Sequence, residues 1–411
     1  MRQSRAVELR VAGTLARPNA WTWYVLSAAT WFLAVGLNGV IIPGLVTQEL
    51  HGGPGAMAIA QMSGQVPTLL LILLGGAVAD RADRRALLVG LYACAAVLTG
   101  LLAARVGAGQ LSLAVVVAYV AALGIVAAFQ MPARDALLSD VAGGDLLRAI
   151  SLLTMVQWGM QTVGNFGASL GQAVGFAPIL AGEVGLVACS AFACSRLPPH
   201  VRHGEPGRAI TLAELGEGVL EVARSPVLRL VAGLATALGV LFIGPFLVAF
   251  PLLVRDFYHG DKVSLSMFLG CFPLGVITTT LALLARGGGL RRKGLAQLAA
   301  LGGGAVCMIA LGCGPPFAGA LAAVFVFGLG GALFMTASRT LFQTHAPPAH
   351  RGRVLSVYSL ATMGASGLIG APLSGLLLAR LGVLATCRAA GVTMAALIVL
   401  LSFSKSLREL E

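Results

Sequence analysis

Charged side chains are scarce in this chain of 411 residues, where Asp, Glu, Lys and Arg together make up 11%. A soluble domain usually carries about 25%. Hydrophobic residues make up 57%, and the mean hydropathy is +0.89. A soluble protein of this size would need far more polar surface to cover its core. The composition therefore predicts a membrane protein with many spans.

The sequence also lacks the residue sets that hold metals, nucleotides or disulfides. Its seven cysteines all lie in apolar runs, where we expect them to pack as small hydrophobic side chains. His200 and His203 are three residues apart, but no cysteine or carboxylate completes a metal set. A glycine-rich phosphate loop that ends in Lys-Ser or Lys-Thr is also missing. We therefore expect no metal, no cofactor, no catalytic residues and no ATP-driven pump.

The basic residues, which give a net charge of +12, are scattered among short loops. This dispersal argues against a nucleic-acid partner and is typical of a protein that follows the positive-inside rule. We predict about twelve apolar spans. Both ends of the chain and the even-numbered loops hold 23 of the 28 Lys and Arg residues, and the odd-numbered loops hold four: Arg105, Arg255, Lys262 and Arg380. The asymmetry predicts a multi-pass protein of the plasma or inner membrane, in contact with the lipid bilayer, with both termini in the cytoplasm.

The longest polar stretch divides the chain into two halves. Within it, Thr211-Leu212-Ala213-Glu214 is a capping box that predicts a short amphipathic helix on the membrane surface. We expect an N-terminal six-helix bundle over residues 1–196, a cytoplasmic linker over 197–226 and a C-terminal six-helix bundle over 227–411. A shift of about 205 residues superposes Arg134 on Arg339 and Glu183 on Arg388. The predicted fold class is an all-α polytopic membrane protein with two pseudo-symmetric bundles.

A short charged turn joins the second and third spans: Gly75-Gly76-Ala77-Val78-Ala79-Asp80-Arg81-Ala82-Asp83-Arg84-Arg85. The pattern resembles the loop 2–3 signature of the major facilitator superfamily, although Asp83 stands where that signature has Gly. The resemblance implies a secondary transporter in which Gly76 lets another helix approach and Asp80 meets the positive N-terminus of helix 11. It implies a latch that holds the halves together when the cytoplasmic side is closed, with these members: Gly76, Asp80, Arg81, Arg84, Arg85, Arg134, Asp135 and Arg353.

Two further segments resemble the enterobactin-exporter and macrolide-efflux branch of that superfamily, the transmembrane secretion effector type. They are Phe129-Gln130-Met131-Pro132-Ala133-Arg134-Asp135-Ala136-Leu137-Leu138 and Arg351-Gly352-Arg353-Val354-Leu355-Ser356. The resemblance implies a proton-coupled antiporter that exports small amphiphilic or hydrophobic molecules and works as a monomer. Its partners would be a small-molecule substrate and protons.

The resemblance also places helices 1, 4, 7 and 10 around a central cavity, next to helices 2 and 5. Few of the polar residues on these helices are charged, which suits a hydrophobic or neutral cargo. The candidate lining residues are Asn38, Gln61, Gln65, Tyr119, Gln130, Trp158, Gln161, Asn165, Phe242, Phe246, Phe327 and Phe334. Each aromatic residue among them has packing or lipid contact as the alternative role.

Glu183 in span six and Arg388 in span twelve are charged residues within predicted spans. Such residues are candidates for function, so Glu183 is a candidate proton carrier. The superfamily places these two helices at the periphery, and both residues fall near helix ends, where snorkelling to water is possible. This position favours a structural role for both.

Other functions remain open at this stage. Within transport, the alternative is an importer or flippase of a lipid-like substrate. A polytopic membrane enzyme would need acidic or histidine residues that converge at one membrane face, and none are found away from the loop motifs. A sensor without transport is disfavoured by the intact Asp80 motif.

Overall fold

The computed structural model describes residues 18–142, 146–198, 219–285, 292–346, 354 and 357–402, and these are almost entirely helical. Six long helices form the first half. They are α1 (Pro18–Gly44, continued by a π-helical turn at Leu45–Glu49), α2 (Pro54–Arg81), α3 (Arg84–Gly107), α4 (Leu113–Val141), α5 (Leu146–Gly167, continued by short turns to Val174) and α6 (Phe176–Ser195).

Six further helices form the second half. They are α7 (Pro226–Asp256), α8 (Lys262–Ala285), α9 (Lys293–Gly312), α10 (Phe317–His345), α11 (Val357–Leu381) and α12 (Val383–Ser402). π-helical turns interrupt α7 at Gly239–Ile243 and α11 at Leu360–Gly364 and Ser366–Gly370. The predicted capping box at Thr211–Glu214 lies outside the described residues.

Within the described ranges, eleven of these helices are long and apolar enough to cross a membrane. The one that does not reach this level is α5, because polar residues such as Gln157, Gln161 and Asn165 lower its hydropathy. It is nevertheless 22 residues long and packs between α1 and α8 as the spanning helices do. The predicted all-helical membrane architecture is confirmed.

The two halves repeat one packing scheme. In the first half α2 packs on α4, α3 on α6 and α1 on α5, and in the second half α8 packs on α10, α9 on α12 and α7 on α11. The α2–α4 pair is so close that a Cβ on Gly124 would lie 2.2 Å from the carbonyl oxygen of Gly64. In the equivalent α8–α10 pair a Cβ on Gly328 would lie 2.1 Å from the carbonyl oxygen of Phe272. Only glycine permits such backbone contact between membrane helices.

Candidate functional site: the interface between the halves

One face of α2 contacts α11 across the boundary between the two halves. A Cβ on Gly375 would lie 2.9 Å from Ala58 Cβ, and one on Gly367 would lie 2.7 Å from Gln65 Cβ. A Cβ on Gly364 would lie 3.3 Å from a methyl group of Leu69. In each pair the residue numbers rise on α2 as they fall on α11, so the two helices run antiparallel in one register.

The same face of α2 loses this contact towards its C-terminal end. Eleven residues make three helical turns, so Gly76 lies on the same face as Gln65. A Cβ on Gly76 would meet no heavy atom of the described residues within 4 Å. The close approach predicted at Gly76 is found instead at Gly75, whose Cβ would lie 2.0 Å from the carbonyl oxygen of Ala128 on α4. The α2–α11 contact is therefore closed near Ala58 and open at Gly76.

The α5–α8 contact shows the same change along its length. Gly270 packs on the ring of Phe166, at 3.0 Å from the Cβ position, and Gly159 approaches Ile277 at 3.4 Å. Leu152 lies seven residues before Gly159 on α5, and Leu284 lies seven residues after Ile277 on α8, so they are the next pair in the same antiparallel register. Their exposed fractions are 42% and 51%. Both helix pairs across the boundary therefore separate at the end of the molecule that carries Arg84, which we call the Arg84 end.

Two basic residues cross the boundary at the opposite end, which we call the Lys262 end. Lys262 Nζ lies 2.6 Å from Glu49 Oε1 and 4.5 Å from the centre of the Phe176 ring. Arg255 donates from Nη1 to the carbonyl oxygens of Thr47 at 3.2 Å and Gly52 at 2.6 Å. Both cations belong to the second half and reach acceptors in the first, while Arg255 also pairs with its neighbour Asp256, with 2.5 Å between Nε and Oδ1. They form a polar seal over the closed end.

The seal was not predicted, although the placement of its two basic residues in the sequence indicates it. Arg255 and Lys262 are two of the four basic residues in the odd-numbered loops. Cations on the side of a membrane protein that otherwise holds few of them need a specific reason to be there. Here each one satisfies an acceptor on the other half.

Several of the predicted lining residues do lie between the halves. Asn165 Nδ2 donates to the carbonyl oxygen of Leu269 at 3.2 Å, and Gln65 Oε1 accepts from Ser366 at 3.4 Å. The ring of Trp158 packs edge-on against Phe272, with 6.3 Å between centroids. Gln61 and Gln161 are half-buried on the same two helices, α2 and α5.

The predicted aromatic wall lies mainly inside the second bundle. Phe242, Phe327 and Phe334 are 2%, 7% and 1% exposed and line an apolar cavity of about 60 Å³ between α7, α8, α9 and α10. Phe246 packs edge-on against Phe250 and at a tilt against Phe272, with 5.3 and 4.8 Å between ring centroids. These rings therefore pack within one half in this conformation, which is the alternative role that the sequence left open for them.

Asn38 and Tyr119 belong to a buried polar network inside the first bundle. Asn38 Nδ2 donates to Glu183 Oε1, and Tyr119 Oη donates to Asn38 Oδ1 at 3.1 Å. Thr99 Oγ1 lies 3.1 Å from Tyr119 Oη. The network joins α3, α4, α1 and α6. Gln130, also predicted to line the cavity, is 1% exposed and donates to Tyr92 Oη at 3.3 Å.

Glu183 does not snorkel to water, although its position near the helix end left that possible. Its exposed fraction is 1%, and its side chain turns inward to α1 instead of outward to the helix end. Arg388, by contrast, is exposed, as the prediction requires. Sequence position alone could not show which way a residue on an apolar helix points.

The loop between α2 and α3 is held by a buried ion pair. Arg84 Nη1 lies 2.6 Å from Asp140 Oδ2 on α4, and the two side chains are 6% and 14% exposed. Asp83 caps α3 by accepting from the backbone N–H of Arg85 at 3.0 Å. Asp140 is not among the predicted site residues, because it lies two residues beyond the end of the motif segment at Leu138.

The other predicted latch residues have different surroundings. Arg134 is buried at the Arg84 end, with its guanidinium carbon 4.6 Å from the centre of the Phe32 ring and its Nη2 3.7 Å from Asp135 Oδ1. Arg81 is exposed. The side chain of Asp80 and the whole of Arg353 lie outside the described residues, as do residues 286–291 of the second copy of the loop motif.

Comparison with known proteins identifies the family and the fold. Residues 24–368 match the family described as Major Facilitator Superfamily. A solved structure of the nucleoside transporter NupG is similar with a TM-score of 0.73 at 14% identity, over 96% of this chain and 100% of that one. The human organic anion transporter MFSD10 (TETRAN) gives 0.63 at 15% identity, over 94% and 100%. A D-xylose-proton symporter gives 0.67 at 16% identity, over 92% and 97%. No curated protein sequence matches this chain.

Proposed function

Because this multi-pass membrane protein belongs to the major facilitator superfamily, whose fold serves secondary transport, we propose that it exports small amphiphilic or hydrophobic molecules in exchange for protons. The observation that supports alternating access is the boundary between the halves. It is closed at the Lys262 end and open at the Arg84 end. A transporter of this type needs a second state in which the two ends exchange these roles.

We assign the Arg84 end to the cytoplasm. The support for this orientation is the 23 to 4 distribution of basic residues, since short cytoplasmic loops are enriched in Lys and Arg. The structure then corresponds to a state open to the cytoplasm and sealed on the outside by Arg255 and Lys262. Reporter fusions after Pro199 and after Lys262 test the orientation, because they are expected on the cytoplasmic and the outer side respectively.

The α2–α11 register supports the proposed latch in the second state. Gln65 and Leu69 contact α11 in this structure, and Gly76 and Asp80 lie eleven residues after them on α2. If the Arg84 end closes in the same register, Asp80 comes opposite position 353 in the sequence, four residues before the described start of α11 at Val357. A carboxylate there stabilises a helix N-terminus, and Arg353 adds a positive charge. The latch is therefore a contact of the outward-facing state.

The interface residues support a largely uncharged cargo. Those named above between the seal and the opening are amides, a hydroxyl, aromatic rings and aliphatic side chains, which suit an amphiphilic molecule with few charges. The similar structures belong to a nucleoside transporter, an organic anion transporter and a D-xylose-proton symporter, at identities that establish the fold alone.

A vesicle assay tests direction and coupling together. Inverted membrane vesicles that contain the chain are given a panel of macrolides, siderophores and dyes, with and without an imposed proton gradient. We expect uptake of at least one compound that requires an acidic interior and disappears with a protonophore, with empty vesicles as the control. Transport only in the opposite vesicle orientation would indicate an importer, and movement of labelled lipid without solute transport would indicate a flippase. Either result would overturn the export proposal.

A further inference from the structure

Glu183 is an acid without a full set of partners, deep inside the first bundle. It is 1% exposed, and among the described residues no Lys, Arg or His forms an ion pair with it. Asn38 donates to Oε1, while Oε2 is buried without a hydrogen-bond partner. An ionisable group in such a place is costly and calls for a functional reason.

The hydrogen bonds around Glu183 all point towards its carboxylate. Tyr119 has one O–H, which it donates to Asn38 Oδ1, so Thr99 must be the donor in its contact with Tyr119. Asn38 in turn donates to Glu183. A chain of donors that runs in one direction towards an oxygen stabilises negative charge there. These donors support the ionised form of Glu183, while burial without a cation and without a partner for Oε2 favours the neutral acid.

Few other titratable groups face this acid from the helices packed around it. The titratable group on α4 that faces Glu183 is the Tyr119 phenol. The members of the same hydrogen-bonded network on α1 and α3 are Asn38 and Thr99, which do not titrate. The charged residue nearest the end of α3, Arg105, donates to Gln110 at 3.1 Å. A change in the charge of Glu183 therefore acts first on Asn38.

Asn38 lies next to Gly39, which packs on Asn165, and Asn165 in turn contacts the second half. A Cβ on Gly39 would lie 3.4 Å from Asn165 Oδ1, and Asn165 Nδ2 donates to the carbonyl oxygen of Leu269 on α8. In addition, α1 and α5 approach so closely that a Cβ on Gly36 would lie 2.4 Å from the carbonyl oxygen of Gln161. A shift of α1 at Asn38 thus moves α5 and its hydrogen bond to the second half.

We propose that Glu183 carries the coupling proton, and that Asn38 and Tyr119 are positioning residues that link its charge to the contact between the halves. The proposal rests on the proton coupling proposed above. A hydronium ion gives its proton to Oε2, so that an O–H bond forms and water leaves. The new O–H has no acceptor where it stands, and the neutral acid binds Asn38 less strongly. Protonation therefore weakens the arrangement seen here and favours the state closed at the Arg84 end, and release of the proton restores it.

A conformational assay with protons as the only ligand tests this without a known substrate. Spin labels are placed at Leu152→Cys and Leu284→Cys, which flank the open gap, in a background whose accessible native cysteines are Ser. In lipid nanodiscs we expect the fraction with a short distance between labels to grow as the pH falls, with a single midpoint. Glu183→Gln is expected to remove this response and to hold the short-distance population at every pH. Arg388→Gln, at the equivalent position of the other half, is the matched control and should respond as the wild type does.

Tyr119→Phe provides a second, milder test. It removes the donor to Asn38 but keeps the ring, so the ionised form loses support and the midpoint should move to higher pH, by about tenfold in proton concentration for one hydrogen bond near 1.4 kcal/mol. This readout remains if Glu183→Gln fails to fold. A wild-type response in Glu183→Gln, an unmoved midpoint in Tyr119→Phe, or no response in the wild type would each overturn the assignment. Failure of the export proposal would instead appear as absent solute transport beside an intact pH response.

Discussion

Lys262 of α8 and Glu49 at the end of α1 form an ion pair across the two halves, with 2.6 Å between Nζ and Oε1. Both side chains are partly exposed, at 21% and 40%, so the pair is expected to contribute about 0.2–1 kcal/mol. That is too little to hold the fold together. It is enough to shift the balance between two conformations by up to about fivefold.

Lys262→Gln is therefore expected to let the Lys262 end open more often. Leu265→Cys, a buried position behind the seal, provides the readout. Its modification by a membrane-impermeant maleimide should become up to about fivefold faster in the Lys262→Gln background. Arg105→Gln is the control, since Arg105 binds within its own half. Equal effects of the two substitutions would contradict a specific role for Lys262.

Two neighbouring glycines should respond differently to the same substitution. Gly75→Ala puts a methyl group 2.0 Å from the Ala128 carbonyl oxygen, so α2 and α4 must separate and the thermal stability of the purified protein should fall. Gly76→Ala meets no heavy atom of the described residues within 4 Å and should leave that stability unchanged. Gly76→Val should also fold but transport more slowly, because its side chain occupies space that the second state needs. Equal stability losses at both positions would contradict the α2 register.

Asp80→Asn is expected to impair the transport cycle and to spare folding. A charge at a helix N-terminus contributes about 0.3–1 kcal/mol, and up to about 2 when partly buried. Its loss should therefore favour the cytoplasm-open state about 2- to 30-fold while the protein inserts and purifies normally. Cysteine accessibility at the Arg84 end, measured beside uptake into inverted vesicles, tests both parts. Wild-type transport with unchanged accessibility would show that the motif is an ordinary loop without a role in the transport cycle.

Arg84→Leu is expected to act on stability instead. Removal of one member of a buried ion pair leaves the other charge without compensation, which typically costs about 3–5 kcal/mol. Thermal unfolding in detergent should show a marked loss for Arg84→Leu and little change for Arg81→Leu, whose side chain is exposed. The double variant Arg84→Leu with Asp140→Leu should recover part of the loss. If the single variant is as stable as the wild type, Arg84 does not anchor α3 to α4.

The sequence predicts the helices far better than the directions in which their side chains point. Lengths and hydropathy identify the spans, because a bilayer sets both. They do not identify which face of a span meets a cavity, because a helix that is apolar all round has no polar stripe to mark that face. Phe242 and Phe334 were therefore assigned to a cavity wall but pack inside a bundle, and Glu183, for which snorkelling to water was left open, faces Asn38.

The partners of charged residues were equally hard to predict. Asp140 is 56 residues from Arg84, and Glu49 is 213 from Lys262, so no local pattern connects them. Even in the loop between α2 and α3, where Asp80 and the arginines that follow it form a motif in adjacent positions, the partner of Arg84 is Asp140, which the motif does not contain. Long-range pairs appear only once the helices are packed.

The position of Arg255 and Lys262 also affects how the protein is made. The insertion machinery responds to positive charges while the chain is still unfolded, before either residue has an acceptor to bind. Each cation that strengthens the seal therefore weakens the signal that orients the neighbouring helices. Because 23 basic residues lie in the even-numbered loops and at the two ends, against four in the odd-numbered loops, these two cations do not change the orientation that the charge distribution favours. A tighter seal built from additional lysines would reduce that margin, so biogenesis limits how firmly the Lys262 end can close.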